Sequence, residues 1–437
     1  MFSRVRKAYN IIVALVHKQN LCGGLSMSVD QTQLALHGGK PVCEEPLQPN
    51  PWPPVDEQTA EKMRELYLSR EWSFHSPAEK EFAARFADYH DANHGVFMAN
   101  GTVTLQCALA ALGVGEGDEV IVPALTWMAT AMAAHYLGAT PVFVDVEPST
   151  LCLDPAQLKD AITSRTRAVI PVHLYGSMAD MEEMLAICRP RDIHVVEDCA
   201  HMQGGRWNGR GVGSWGDVGS FSLQQSKTLS CGEGGICITN DEDLADRMFR
   251  LKHIGYAPDS DQGRPSGAPP ADLACHNFRA TAFQALIVNE QLKSLPERIE
   301  RYEMSAQRIT ERLRDVPGVR VQSRGRQADP QGYYGFVFIF DEEPCAHLPR
   351  NTIVEALKAE GLKTGGSYGP VYDHVLFNLP DHCYRVHGGR CEVAEHTATD
   401  RAVLLPHHWL GSDEETINAI GEIIAKVASH AEKLRDR

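Results

Sequence analysis

Between residues 80 and 250 the apolar positions change period again and again. In EFAARFADYH they fall three to four apart, the spacing of one helix face. HGVFMANGT is an apolar run that stops at a turn, as a strand does. LQCALAAL returns to helix and DEVIVPAL to strand; ATAMAAHYLG is a helix closed by Gly138, and PVFVDV is a strand. PAQLKDAI, RAVIPVHLYG, DMEEMLAICRPR and IHVVEDCAH continue the alternation. Unbroken Val/Ile runs mark strands covered on both faces. The pattern predicts an α/β fold with a large, mixed but mostly parallel sheet and helices on both sides.

After residue 280 the texture changes. A Pro/Gly-rich loop, PDSDQGRPSGAPPAD, precedes a long helical stretch from Thr281 that breaks near Pro296. YYGFVFIF reads as a strand, and helices follow around IVEALKAEG and EETINAIGEIIAKVASHAEKL. The division expected is a loose N-terminal extension over 1–32, a large domain over 33–290 and a smaller α+β domain over 291–437. The opening MFSRVRKAYNIIVALVHKQNLCGG resembles an export signal only superficially. Its apolar part is short, Lys18 follows it, and no small-x-small cleavage site stands out. The working chain is expected to begin near Met27.

The bulk numbers remove other classes. A formal charge of −15 without basic runs argues against a nucleic-acid surface. No apolar run approaches the roughly 18 residues of a spanning helix, so no membrane partner is expected. Twelve scattered cysteines without a C-x-x-C pair read as reduced thiols of a cytoplasmic protein.

In open α/β sheets, ligands bind beyond the carboxyl ends of the strands. Four groups are expected there. Asn100-Gly101-Thr102 opens a helix and offers N–H groups and a hydroxyl to a phosphate. Trp127 can lie against a planar ring. Asp198 ends a buried strand and suits a protonated pyridine nitrogen. Lys227, just beyond Ser222, can form a Schiff base with an aldehyde once it loses its proton. Each alone has an ordinary reading: a turn, a core tryptophan, a helix cap, an edge lysine. Together, at successive strand ends, they describe pyridoxal 5'-phosphate. A nucleotide binder would want G-x-G-x-x-G after its first strand, and none is there. Gly232, Gly234 and Gly235 are expected to let the next strand pass close to the lysine. An apolar, cation-rich setting is expected to lower the pKa of Lys227.

NGTVTLQCAL, GDEVIVPALTWMATA, TRAVIPVHLYG, VVEDCAHMQGGRWNGRGVGSWGDVGSFSLQQSKTLSCGEGG and HNFRATAFQA together resemble the DegT/StrS family. The resemblance runs over roughly residues 33 to 430, and the block 193–240 is highly specific. It implies a fold-type I, pyridoxal-phosphate-dependent aminotransferase acting on keto sugars or keto cyclitols, with an amino acid, glutamine or glutamate, as donor. It implies Lys227 as the Schiff-base lysine and Asp198 as the acid on the pyridine nitrogen. Trp127 is implied as the stacked aromatic, and Gly101, Thr102 and Ser222 as phosphate contacts. Asn277 is implied to reach the phosphate of a partner subunit, which makes the protein a homodimer with shared sites. His201 stands where the family usually has Gln, at the contact to the ring hydroxyl. LQQSK, the TW pair, LALHGGKPV and LPHHWLG are similar to the aminocyclitol branch. The rivals are a nucleotide-sugar aminotransferase, a lyase or dehydratase on the same scaffold such as 3-amino-5-hydroxybenzoate synthase, and a regulator without chemistry. Dehydratase relatives carry histidine at the lysine position, and this chain has Lys227.

Other signals are set aside. HCYRVHGGRC has two His and two Cys, but their spacing matches no finger pattern, and no metal is expected. Cys199 reads as a small buried residue. His407 and His408 read as loop residues, at the surface or touching substrate.

Overall fold

The computed structural model describes residues 33–326, 329–341 and 348–436. The extension expected over 1–32 lies outside the described residues. Fourteen strands occur among them: β1 (His94–Met98), β2 (Glu119–Pro123), β3 (Thr140–Val144), β4 (Thr166–Val169), β5 (His194–Asp198), β6 (Arg206–Trp207), β7 (Arg210–Gly211), β8 (Val218–Ser222), β9 (Gly235–Thr239), β10 (Val319–Val321), β11 (Gly335–Phe340), β12 (Gly365–Gly366), β13 (Arg385–Val386) and β14 (Ala402–Pro406). Eight of them form one sheet in the order β1-β9-β8-β5-β4-β2-β3-β13. From β8 to β13 all neighbours are parallel; β9 runs antiparallel to both β8 and β1. The sheet is thus mixed and mostly parallel, as the sequence predicts.

The run of Val and Ile in β2, β3 and β5 is buried. Helices such as Gly101–Ala111, Ala129–His135 and Met181–Cys188 supply the covering faces. Several helices begin on the side chain the sequence provides. Asn100, Asp154, Asp180, Asp241 and Asp413 each accept a backbone N–H of the first turn. The stretch after Thr281 is two helices, Ala282–Lys293 and Leu295–Leu313, meeting at Ser294. Pro296 sits in the first turn of the second, where its missing N–H costs no intrahelical bond.

A second sheet, β10-β11-β14-β12, carries its own core with helices Leu295–Leu313, Arg350–Ala359 and Glu414–Ser429. Leu34 and Cys43 from the start of the described chain pack into this core. A buried ion pair holds them there. Lys426 Nζ lies 2.9 Å from Glu360 and donates to the Lys40 carbonyl; Glu360 also accepts the N–H groups of Ala35 and Val42. Both carboxylate oxygens and the ammonium are hydrogen-bonded, which is what makes such a pair tolerable in a core. No helix among the described residues is long and apolar enough to cross a membrane.

Candidate active site

The carboxyl ends of β1, β2, β5 and β8 open on one cavity of about 710 Å³. Gly101, Thr102, Trp127, Asp198, His201, Ser222 and Lys227 all line it. Seven of the eight residues expected from the sequence therefore share one wall or another of the same space.

Lys227 sits in the loop that joins β8 to antiparallel β9. Leu223 N–H donates to Gly234 O and Gln225 N–H to Gly232 O, both at 2.8 Å, so the loop starts as a tight hairpin. Gly232 closes it at φ 87°, a conformation that favours glycine. Lys227 N–H donates to Gln224 O at 2.8 Å, turning the side chain inward. Its Nζ is 4.3 Å from the centroid of the Tyr334 ring. Burial pulls the lysine down to about 8, against the opposing pull of Asp198. The expected cation-rich setting is not what does this. The charge that acts on Lys227 is an anion, and desolvation alone lowers the pKa.

Asp198 ends β5 and is 5% exposed. Its Oδ2 accepts the Thr130 hydroxyl at 2.8 Å and its Oδ1 the Ala200 N–H at 3.1 Å. Thr130 in turn shares a hydrogen bond with Thr126 at 2.9 Å. Burial raises the carboxyl above the usual carboxylate range, opposed by Thr130, Ala200 and Lys227. A carboxylate fixed in this way is chemically suited to face a cationic ring N–H.

At the other side, Asn100 caps helix Gly101–Ala111 by accepting Val103 N–H at 3.0 Å. The N–H groups of Gly101 and Thr102 belong to the first turn and have no intrahelical acceptor. Ser222 stands against them. A Cβ on Gly101 would fall 2.7 Å from Ser222 Cβ, so only glycine lets the strand end and the helix start approach this closely. Gly235 of β9 passes equally near: a Cβ there would lie 2.6 Å from the Asn100 carbonyl.

Trp127 is 45% exposed at the cavity rim, which removes the core reading. His201 is buried and stacked on Tyr334, with centroids 3.8 Å apart and planes 11° apart. Burial and nearby Lys227 hold its pKa well below the ordinary histidine value, so the ring is neutral. Its Nδ1 accepts Tyr175 N–H at 3.5 Å, which leaves the proton on Nε2.

Sequence reasoning missed Thr130, Tyr334 and Tyr368, which also line the cavity. Thr130 had a signal: it follows Thr126 by one helical turn beyond β2. Tyr334 and Tyr368 had none, because they arrive from beside the second sheet. Asn277 does not line the cavity; it is exposed, in a backbone bridge with His253. His407, expected in a surface loop or against substrate, is 1% exposed. His408 is half-buried beside it, lining an adjoining cavity of about 390 Å³.

Among the described residues, one group of potential metal ligands lies close together: His173, Glu197 and Cys199. Its lone pairs are taken. His173 Nδ1 accepts Ala179 N–H and its Nε2 donates to Glu197, whose carboxylate also accepts N–H from Gly213, Trp215 and Gly216. Cys199 is fully buried, and burial pushes its thiol well up, as an inert core residue.

Residues 53–425 match the DegT/DnrJ/EryC1/StrS aminotransferase family. A putative L-glutamine:3-amino-2,3-dideoxy-scyllo-inosose aminotransferase of Streptoalloteichus tenebrarius is 36% identical over 426 residues, 92% of this chain and 100% of that protein. An L-glutamine:2-deoxy-scyllo-inosose aminotransferase of Streptomyces kanamyceticus is 36% identical over 428 residues, 92% of this chain and 99% of that one. Among solved structures, 3-amino-5-hydroxybenzoic acid synthase superposes with a TM-score of 0.78 at 29% identity, covering 87% of this chain and 98% of its own. DesI, solved in the presence of its TDP-sugar product, gives 0.77 at 28%, covering 92% and 98%. Strand ends that converge on one buried lysine, and a likeness that runs nearly the length of the chain, make it a member of the DegT/DnrJ/EryC1/StrS aminotransferase family.

Proposed function

We propose that this chain transfers an amino group from L-glutamine to a keto cyclitol, using pyridoxal 5'-phosphate held in the cavity at the strand ends. The observation that carries the substrate reading is the pair of relatives at 36% identity, both named as L-glutamine:inosose aminotransferases and both matched across 92% of the chain. The nucleotide-sugar alternative rests on a more distant likeness, 28% to DesI. Lys227, where dehydratase relatives carry histidine, favours amino transfer over dehydration.

The residues fit the cofactor. Gly101, Thr102 and Ser222 hold its phosphate, in a cradle that a side chain at residue 101 would fill. Asp198, locked by Thr130 and Ala200, would keep a proton on the ring nitrogen. Trp127 would cover a ring face, and His201 Nε2–H would serve the ring hydroxyl. When bound, pyridoxal phosphate supplies an electron-poor ring that disperses the charge left when a substrate carbon loses its proton. Lys227 Nζ takes that proton and returns it, acting as base and then acid. With a pKa near 8 it is neutral in about one molecule in ten at pH 7, in about half at pH 8 and in about nine in ten at pH 9. The Tyr334 ring, itself stacked on His201, lies against Nζ. We assign Asn277 to the phosphate of a partner subunit, in a cytoplasmic homodimer.

The test is a substrate screen with the loaded protein. L-glutamine is the donor, and keto inositols are set against nucleotide-linked keto sugars. Amination of a keto inositol is expected. Amination confined to nucleotide-linked sugars, or loss of water without amino transfer, overturns the proposal.

A further inference from the structure

The loop that carries Lys227 is gripped from outside the large sheet. Trp52 Nε1–H donates to Gln225 O at 2.8 Å. His407 Nε2 lies 3.0 Å from Ser226 O, and since a carbonyl only accepts, Nε2 carries the proton. Arg298 donates to Thr228 O at 2.8 Å. The carbonyls of the two residues before the lysine and of the residue after it are therefore each held by a different side chain. Those three side chains also hold one another. The Trp52 and His407 rings meet edge to face at 4.5 Å, and the Arg298 guanidinium lies 5.2 Å over the Trp52 ring.

His407 is the centre of the group. It is buried, and its Nδ1 accepts the Tyr302 hydroxyl at 3.1 Å. Burial lowers its pKa to about 3, so it stays neutral and keeps this tautomer. Its backbone N–H donates to Tyr334 O at 3.1 Å. One residue thus spaces two parts: the loop that bears Lys227 and the strand end that bears Tyr334, over which Nζ lies.

We infer that Trp52, Arg298 and His407 form a positioning clamp that sets where Lys227 Nζ stands in the cavity. None of the three lines that cavity; Trp52 and His407 line the adjoining one, and all three donate to carbonyls of the loop that carries Lys227. The inference rests on the reading of Lys227 as the lysine that captures the cofactor. The physical need is clear. A lysine has four rotatable bonds, and a loop free to drift by about 1 Å misplaces a proton-transferring atom at a cost of about 10²-fold in rate. Loosening the loop also lets water reach Nζ and removes the burial that lowers its pKa.

The test uses the full-length protein stripped of cofactor and then supplied with pyridoxal 5'-phosphate, followed by its visible absorption. In His407→Phe, the pH for half-maximal capture should rise by about half a unit or more, because Nζ is better solvated. After reloading, kcat should fall about tenfold or more while KM stays within about twofold. His407→Gln offers an N–H at the same reach and should restore both. Trp52→Phe keeps the ring contact but removes the donor to Gln225 O; it should move both readouts in the same direction. It sits at a half-buried position and serves if His407→Phe does not fold. A folded His407→Phe or Trp52→Phe with wild-type capture and kcat overturns the clamp, as does failure of His407→Gln to restore. A wild-type protein that captures no cofactor overturns the reading of Lys227 instead.

Discussion

Lys227 shows how burial alone sets a reactivity. An exposed lysine titrates near 10.5; here desolvation brings it to about 8 even though Asp198 opposes the change. The neutral amine is the form that attacks an aldehyde. Its share therefore grows as pH rises through about 8 and levels off above. We expect the rate of pyridoxal-phosphate capture by the stripped protein to rise about tenfold from pH 7 to pH 9. Stopped-flow absorbance measures this. A rate that keeps climbing towards pH 10.5 would mean Nζ is solvated and the lysine ordinary. In Lys227→Ala, borohydride should fix no cofactor at any pH.

Two elements approach closely in the site: the start of helix Gly101–Ala111 and the end of β8. Helix N–H groups attract a phosphate only where nothing covers them. In Gly101→Ala the new methyl would fall 2.7 Å from Ser222 Cβ and 3.2 Å from its hydroxyl. Helix and strand would have to separate, at a cost of about 1–3 kcal/mol in stability. Equilibrium dialysis should show cofactor retention weakened by about tenfold or more, with a lower Tm. Unchanged retention would place the phosphate elsewhere. The three glycines after Lys227 divide by cause. Gly232 is needed for its positive φ, Gly234 because a Cβ would lie 2.6 Å from Cys231 Sγ, and Gly235 for the passage beside Asn100.

At the scale of the whole molecule, the charge in the cavity is unbalanced. Among the lining residues Lys227 stands against Asp198 and Glu233. A phosphate adds about two more negative charges. Two N–H groups and a hydroxyl leave phosphate oxygens short of donors, and a side-chain N–H from a second copy would add a further hydrogen bond. Asn277, exposed in the single chain and away from its own cavity, is available for that role. Neither Lys227→Ala nor Asn277→Glu homodimers should transaminate. Mixed dimers should recover activity, since one of their two sites keeps both residues. Mixed dimers that form and stay inactive, or an active monomer by light scattering, would refute a shared site.

What the chain's order determined by itself is local. Period and caps decide which segments are helix or strand, and covalent adjacency decides what sits at each strand end. Asn100, Trp127, Asp198, Ser222 and Lys227 were legible for that reason: each follows directly from a strand whose pattern is strong. The tertiary structure decided what meets across distance. Tyr334 and Tyr368 reach the cavity, and His407 reaches the lysine loop, from residues more than 100 positions away. The two-residue strand β13 joins the large sheet from within the Cys/His-rich segment, too short to show a period. Leu34 and Cys43 cross to the second core. Such contacts leave no periodic trace, because packing selects partners by shape and burial and not by spacing along the chain. The direction of the lysine's titration was legible from its apolar flanks. Its cause was not, since desolvation depends on what covers Nζ, and the Tyr334 ring that lies 4.3 Å from it comes from more than 100 positions away.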